Sequence, residues 1–347
     1  MKKIKNRILK FAINKAKRSK LIQSLFEAPI NITSLEKFGE FSDRYGNNFD
    51  LFNGLRSKLR PGWERILERK ESQLPEDPHI YQKKANEGRI TVEKIIPIIN
   101  TFTSGIDNKT VLEIGCHSGA ALYSLAEKGA KEVVGSEFSG YKIDSVGEER
   151  KIDEVNEELK EYRNRVSSFF KKSNNVRFVD DDICNSNLPS NYFDIICSWD
   201  VLEHLSNPET AFQNISRIIK PGGIVIQEYN PFFSLNGGHS LCTLDFLWGH
   251  VRLNEYDFVR YINEIRPNET EPAKSFYLEG LNRMTISDLK IYSKQAGLKI
   301  ESIFKFTKEQ HLRMLSNNIL KQCQTVYPKL NAIDLVTPRI IIVHKKL

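Results

Sequence analysis

From residue 110 onward, short apolar runs alternate with longer stretches whose apolar positions recur at helical spacing. The runs cover 110–114, 132–135, 176–179, 193–198 and 223–228. Each has the length of a strand buried on both faces, so the alternation predicts a βαβ series, a parallel sheet between two helical layers. Helices are predicted at 287–296 and 308–323, and strands at 298–306 and 339–344, the last two as a terminal antiparallel pair. The expected fold is therefore a doubly wound α/β domain with a mostly parallel, seven-stranded Rossmann-like sheet.

Upstream the pattern is less regular. Residues 29–105 mix charged and apolar positions around Pro61-Gly62, Pro75 and Pro78 and read as a helical extension with loops. It ends in an amphipathic helix carrying Ile90, Val92, Ile95, Ile96, Ile98 and Ile99, with a kink expected at Pro97. Residues 1–28 form a basic arm in which Ile4, Ile8, Phe11, Ile22 and Leu25 keep near-helical spacing. Two other segments stand out. Residues 141–172 read as a charged, solvent-facing helix, and 231–283 are too long and too aromatic for an ordinary connection, which predicts a lid inserted after the fifth strand. The predicted parts are thus an arm (1–28), an extension (29–105) and a core domain (106–347).

Charge changes the picture at one end only. The 347 residues carry +7, but residues 1–20 hold nine Lys or Arg and no acid, so the rest carries 7 − 9 = −2. A near-neutral body argues against a nucleic-acid partner; the arm could instead make peripheral contact with an anionic membrane face. Cys116, Cys184, Cys197, Cys242 and Cys323 are scattered and odd in number, as expected in a reducing cytoplasm. Lysines interrupt every candidate apolar stretch of a signal peptide, so no export is predicted. Oligomeric state leaves no trace in the pattern.

The chemistry gathers at strand ends. Val111-Leu112-Glu113-Ile114-Gly115-Cys116-His117-Ser118-Gly119 is a strand, a tight glycine turn and the start of a helix, which lets backbone approach a ligand at a helix N-terminus. The next strand ends in Glu137, placed to accept both hydroxyls of a ribose. Asp180, Asp181 and Asp182 end the third strand; they could cap a turn, and no spacing supplies the further ligands of a metal, so none is expected. Ser198-Trp199-Asp200 ends the fourth, before Leu202-Glu203-His204-Leu205.

These ordered motifs resemble the class I S-adenosylmethionine-dependent methyltransferases over about 110–228. Glu113-x-Gly115-x-x-x-Gly119 is similar to their first motif, Glu137 falls on their ribose-binding acid, and Asp182-Ile183 on their adenine-contacting position. Val201-Leu202-Glu203-His204-Leu205 and Ile218-Ile219-Lys220-Pro221-Gly222-Gly223 resemble two further signatures. The resemblance implies S-adenosylmethionine as cofactor, held by Glu113, Gly115, Cys116, His117, Gly119, Glu137, Phe138, Asp182, Ile183, Ser198, Trp199, Asp200 and His204. Two departures count. His117 replaces the family's middle glycine, and the Asn/Asp-Pro-Pro-aromatic motif of amino-methylating nucleic-acid enzymes is absent after the fourth strand; the lookalike Asn230-Pro231-Phe232-Phe233 follows the fifth. The Gly-x-x-x-Gly spacing also lacks the fingerprint of a nicotinamide dehydrogenase.

An alcohol acceptor would need a general base. His239 ranks first, beside Gly237-Gly238 as a flexible carrier, followed by His250 and Glu228, with His204 as the most structural candidate. Phe232, Phe233, Phe246, Trp248, Tyr256, Phe258 and Tyr261 would line an acceptor pocket or form the lid's own core, and Arg252 and Arg260 would suit an anionic acceptor. The lid is also similar to insertions in methyltransferases of bacterial surface-glycan pathways, implying a sugar or glycan hydroxyl. Three classes stay open at this level: a small-molecule or glycan O-methyltransferase, an RNA or protein methyltransferase using the arm, and a membrane-associated cofactor-binding scaffold.

Overall fold

The computed structural model describes residues 30–67, 74–139 and 152–347, so the basic arm lies outside the described residues. In chain order the elements begin with a hairpin, β1 (Lys37–Ser42) and β2 (Asn48–Phe52), then α1 (Leu55–Leu59) and α2 (Pro78–Phe102). The central series follows: β3 (Thr110–Ile114), α3 (Ala120–Glu127), β4 (Glu132–Glu137), α4 (Ile152–Ser167), β5 (Val176–Asp180), β6 (Phe193–Trp199), α5 (Pro208–Ile218) and β7 (Ile219–Tyr229). Four short helices come next, α6 (His239–Cys242), α7 (Gly249–Arg252), α8 (Glu255–Ile265) and α9 (Thr270–Glu279). The chain then runs through α10 (Ile286–Gln295), β8 (Leu298–Phe306), α11 (Glu309–Met314), α12 (Asn317–Val326), α13 (Ala332–Val336) and β9 (Arg339–Lys346).

Seven strands form one sheet in the order β5-β4-β3-β6-β7-β9-β8. Pairing is parallel from β5 through β7, and β9 runs antiparallel to both β7 and β8. Period-two alternation explains how the strands feed two cores. Val111, Val133, Ile195 and Ile224 pack with Val92, Ile95 and Leu122 on one face; Leu112, Val134, Ile196 and Val225 pack with Phe212, Ile215 and Leu289 on the other. On the first face α2 crosses the start of α3 so closely that a Cβ at Gly88 would lie 2.4 Å from the Ala120 carbonyl. Strand order reverses direction between β3 and β6, which opens the crevice at their carboxyl ends where such sheets take ligands.

The extension and the lid differ from the sequence reading. Residues 37–52 are an antiparallel hairpin rather than helix and loop, because Phe41, Phe49 and Leu51 alternate with exposed residues and turn into a third core. That core also takes Phe232, Phe233, Trp248, Phe258, Tyr277, Leu330 and Leu335, so the lid is one part of a cap assembled from three distant stretches. The helix expected at 308–323 is two, α11 and α12, with Ser316 capping the second through Ile319 N–H. Among the described residues no helix is long and apolar enough to cross a membrane, and no cysteine is in a disulfide.

Candidate active site

The crevice is built from two turns. After β3, Gly115 and Gly119 have φ of +68° and +70°, and the turn closes on β4 through the Gly115 and Cys116 N–H groups, both donating to the Ser136 carbonyl. A Cβ at Gly115 would stand 2.5 Å from Val201, which ties this turn to the one after β6. Gly119 is the N-cap of α3 and has no side chain to cap it; Ser118 Oγ accepts from Ala120 N–H at 3.4 Å, and such a helix end suits an anionic or polar ligand group. His117 is also in the left-handed region, at φ +38°, and its N–H donates to Glu137 Oε2 at 2.6 Å. Left-handed backbone at a residue with a Cβ carries strain of a kind that gathers at functional sites.

Glu137 sits at the tip of β4 with its side chain about a third exposed. Burial raises its pKa, opposed by the His117 N–H and the Arg163 charge. A carboxylate offers about four lone-pair positions, so the His117 bond leaves room to accept from a ribose diol. Phe138 beside it is 43% exposed, open aromatic surface at the same edge. Below, Glu113 is buried and pushed up to about 8, first by burial and then by the charge of Glu137. Asp182 accepts from Cys184 N–H at 2.9 Å and caps the short turn holding buried Ile183, while Asp180 accepts from Ser139 N–H. Asp181 accepts from Asn187 N–H at 2.9 Å, so the three aspartates serve turns. The residues present fit the adenosyl group: a glycine turn, a helix N-terminus and a strand-end acid share one edge.

Arg163 is the residue that sequence reasoning missed here. The helix expected to face solvent, α4, turns Val166 into a core and lays the Arg163 guanidinium over Phe178, 4.1 Å from the ring centre. Its Nε donates to the His117 carbonyl at 2.7 Å, and its terminal nitrogen lies 3.9 Å from Glu137. Arg163 therefore holds both the loop and its acid, a role invisible in a charged run.

A family model described as "Methyltransferase domain" matches residues 86–303, which include both turns. The chain belongs to this methyltransferase family. The glycine turn and the strand-end acid are the residues that would hold the S-adenosylmethionine which this family implies. Among curated relatives, the mitochondrial ubiquinone biosynthesis O-methyltransferase of Dictyostelium discoideum is 25% identical over 192 residues, 53% of this chain and 52% of that protein. The Nitrosomonas europaea ubiquinone biosynthesis O-methyltransferase is 26% identical over 215 residues, 60% of this chain and 81% of that one. The chain thus spans about half the length of the first relative. Of solved structures, a putative sarcosine dimethylglycine methyltransferase from Galdieria sulphuraria is similar with TM-score 0.45 and 11% identity, covering 82% of this chain and 96% of that one.

On the cap side of the methyltransferase crevice, the turn after β6 carries a second group. Asp200, at φ +54°, pairs with Arg339 at 2.7 Å and is half exposed. Three residues on, Glu203 is buried; its Oε1 accepts from Asn230 N–H at 3.1 Å, and burial pushes it up to about 8, the Asp200 charge adding to the shift. His204 directs Nδ1 to the Gly280 carbonyl at 2.6 Å. His239 opens α6 at φ +53° and places Nε2 3.9 Å from Glu203 Oε1, with its ring 5.1 Å from that of His204. Burial, then the charge of Arg60, holds His239 well below the usual imidazole range. Glu203, His204 and His239 have donor atoms all within 4.8 Å of one another.

The other predicted acceptor-side residues are engaged elsewhere. Glu228 is held by Lys94 and by Arg339 at 3.0 Å. His250 is buried in the cap, with Nε2 2.9 Å from the Phe232 carbonyl and its pKa lowered by burial to about 4. Of the seven aromatics, all but exposed Tyr256 are cap core. Arg252 binds Gln322 and covers Phe49, and Arg260 pairs with Asp257, so neither faces an acceptor. Gly237 is packing rather than hinge, since a Cβ there would lie 2.1 Å from the Phe232 carbonyl oxygen.

Proposed function

We propose that the chain methylates a hydroxyl of a small-molecule acceptor, free or sugar-linked, bound between the sheet and the cap. The observation that carries this reading is the Glu203–His204–His239 group, which lies one turn of chain from the glycine loop and is roofed by α6 and α9. Phe276 of α9 stands against both imidazoles, 5.9 and 5.7 Å between ring centres. Exposure grades from half-exposed Asp200 at the mouth to fully buried Glu203 inside. A buried polar group closed over by an aromatic ring suits a small acceptor better than a folded macromolecule. The two curated relatives, named as O-methyltransferases, agree with an oxygen acceptor.

Bound S-adenosylmethionine supplies a sulfonium methyl that is already electrophilic. What remains for the protein is to hold the acceptor oxygen in line at roughly 3 Å and to ease loss of its proton. Neutral imidazoles beside a carboxyl group present lone pairs to that hydroxyl.

The test is release of S-adenosylhomocysteine with catechols, simple phenols and nucleotide sugars as acceptors, using wild type and His239→Asn, since asparagine tolerates the left-handed backbone. One hydroxyl class should turn over, and the variant should lose on the order of 100-fold while still binding cofactor. Turnover of phenols but no sugar compound removes the glycan version. Turnover only with RNA or protein, or an unaffected variant, overturns the reading.

A further inference from the structure

The polar atoms of the Glu203 group are left in an unusual state for a buried cluster. Glu203 Oε2 and His239 Nε2 are both buried, and neither has a hydrogen-bond partner. Buried polar atoms without partners cost free energy unless something absent from the protein satisfies them. Meanwhile two members are aimed from behind. The Gly280 carbonyl can only accept, so it fixes the proton of His204 on Nδ1 and makes Nε2 the lone-pair nitrogen. The Asn230 N–H likewise orients the Glu203 carboxylate. Such outer contacts are those that position imidazole and carboxylate ligands on a metal ion.

From this geometry we infer that Glu203, His204 and His239 form a binding site for a zinc-class divalent cation. The donor set is two imidazoles and one carboxylate, a set found in zinc sites that keep a fourth position open. Two ligands at about 2.1 Å from one ion are at most roughly 4.2 Å apart. The Glu203–His239 distance of 3.9 Å already meets this limit, and the 4.8 Å bound on the remaining pairs requires shifts of at most about half an ångström. Two arginines are near. Arg339 is occupied by Asp200 and Glu228, whereas Arg60 adds positive charge to the surroundings of Glu203 and His239. The nitrogen donors select against magnesium, which prefers all-oxygen sites. A fourth position left open on the ion would be available to the acceptor hydroxyl proposed above. The ion's part in methyl transfer rests on that proposal; its binding does not.

The test uses the full chain, purified with chelator and titrated with Co²⁺ and then Zn²⁺, without cofactor or acceptor. Cobalt should bind one to one with the visible absorption of a four- or five-coordinate site, and zinc should displace it. Glu203→Gln and His239→Asn should each weaken binding roughly 100-fold, while His79→Asn, at an exposed histidine, should not. Either site variant suffices if the other fails to fold, as judged by circular dichroism. No cobalt spectrum, or binding equal in wild type and folded site variants, overturns the inference. A bound metal with no hydroxyl turnover would overturn the proposed acceptor reading and leave the site standing.

Discussion

The cap and the crevice both bury charged side chains, and they treat them differently. In the cap, Arg56 forms two bonds to Glu269, at 2.8 and 2.7 Å, and stacks on Trp63; Arg266 pairs with Asp245 at 2.6 Å. Every one of these charges has a protein partner. In the crevice, Glu203 Oε2, His239 Nε2 and Arg60 Nε are buried without a hydrogen-bond partner. Paired buried charge is architecture, since removing one partner strands the other. Unpaired buried polarity costs stability and persists where a ligand completes it.

The strongest way to break this contrast is to mutate both sides and compare melting. Arg56→Met leaves Glu269 buried without its bidentate partner and should cost about 3–5 kcal/mol, read as a fall in Cm at constant denaturant slope. Glu203→Gln keeps the oxygen that accepts from Asn230 and loses no other protein bond, so its Cm should stay close to wild type. Equal losses would mean that the crevice is held together as the cap is.

Next comes the cofactor edge. Glu137→Ala removes the acceptor for the ribose hydroxyls and also frees the His117 N–H. Calorimetric titration with S-adenosylhomocysteine should show affinity about 100-fold lower, two charge-assisted hydrogen bonds at roughly 1.5 kcal/mol each. Unchanged affinity would move the adenosyl site away from β4.

Glu113 gives a pH signature on the same edge. Its folded pKa of about 8 lies above the ordinary carboxyl value, so the folded state holds a proton that the unfolded chain gives up. Its contribution is fully present below the unfolded pKa and is lost as pH rises toward 8, at roughly 1.4 kcal/mol per pH unit. Measured from pH 5 to 8 on the apo protein, wild-type stability should fall relative to that of Glu113→Gln by roughly 1.4 kcal/mol per pH unit, because Glu203 and the buried histidines titrate alike in both. A slope unaffected by the substitution would show that Glu113 is not the group responsible.

What could be read in the sequence divides along the same line as the two regions. The sheet was legible because each strand and its following turn are contiguous: Thr110–Ile114 and Leu298–Phe306 match the predicted spans, and Glu113, Gly115, Gly119 and Glu137 stand together at one edge. The cap was not, because it depends on contacts between residues about 200 positions apart, such as Arg56 with Glu269 and Ser240. The aromatic run after β7 was readable as apolar, but only tertiary packing shows that Phe232 and Phe258 serve the cap's own core and that α1 and the hairpin complete it. His239 and His204 were singled out from sequence; Glu203 and Arg60 were not, since Glu203 stood only inside a family signature and nothing marked Arg60. Gly237-Gly238 misled for a related reason: glycine reads as freedom along a sequence, but tight packing demands it as often.

The smallest effect expected is at Arg163, and it tests whether the crevice is itself supported by paired charge. Its guanidinium lies 3.9 Å from Glu137, donates to Cys116 Sγ at 3.6 Å and grips the His117 carbonyl, so it acts on the loop and its acid from behind. Arg163→Ala should therefore loosen the loop rather than delete a ligand contact, lowering S-adenosylhomocysteine affinity about fivefold, near 1 kcal/mol. Arg163→Lys keeps the charge near Glu137 but not the planar stack on Phe178 or the Nε bond. If geometry is what Arg163 provides, lysine should bind cofactor as weakly as alanine; if charge beside Glu137 is what counts, lysine should restore most of the affinity and the difference should shrink as salt is added.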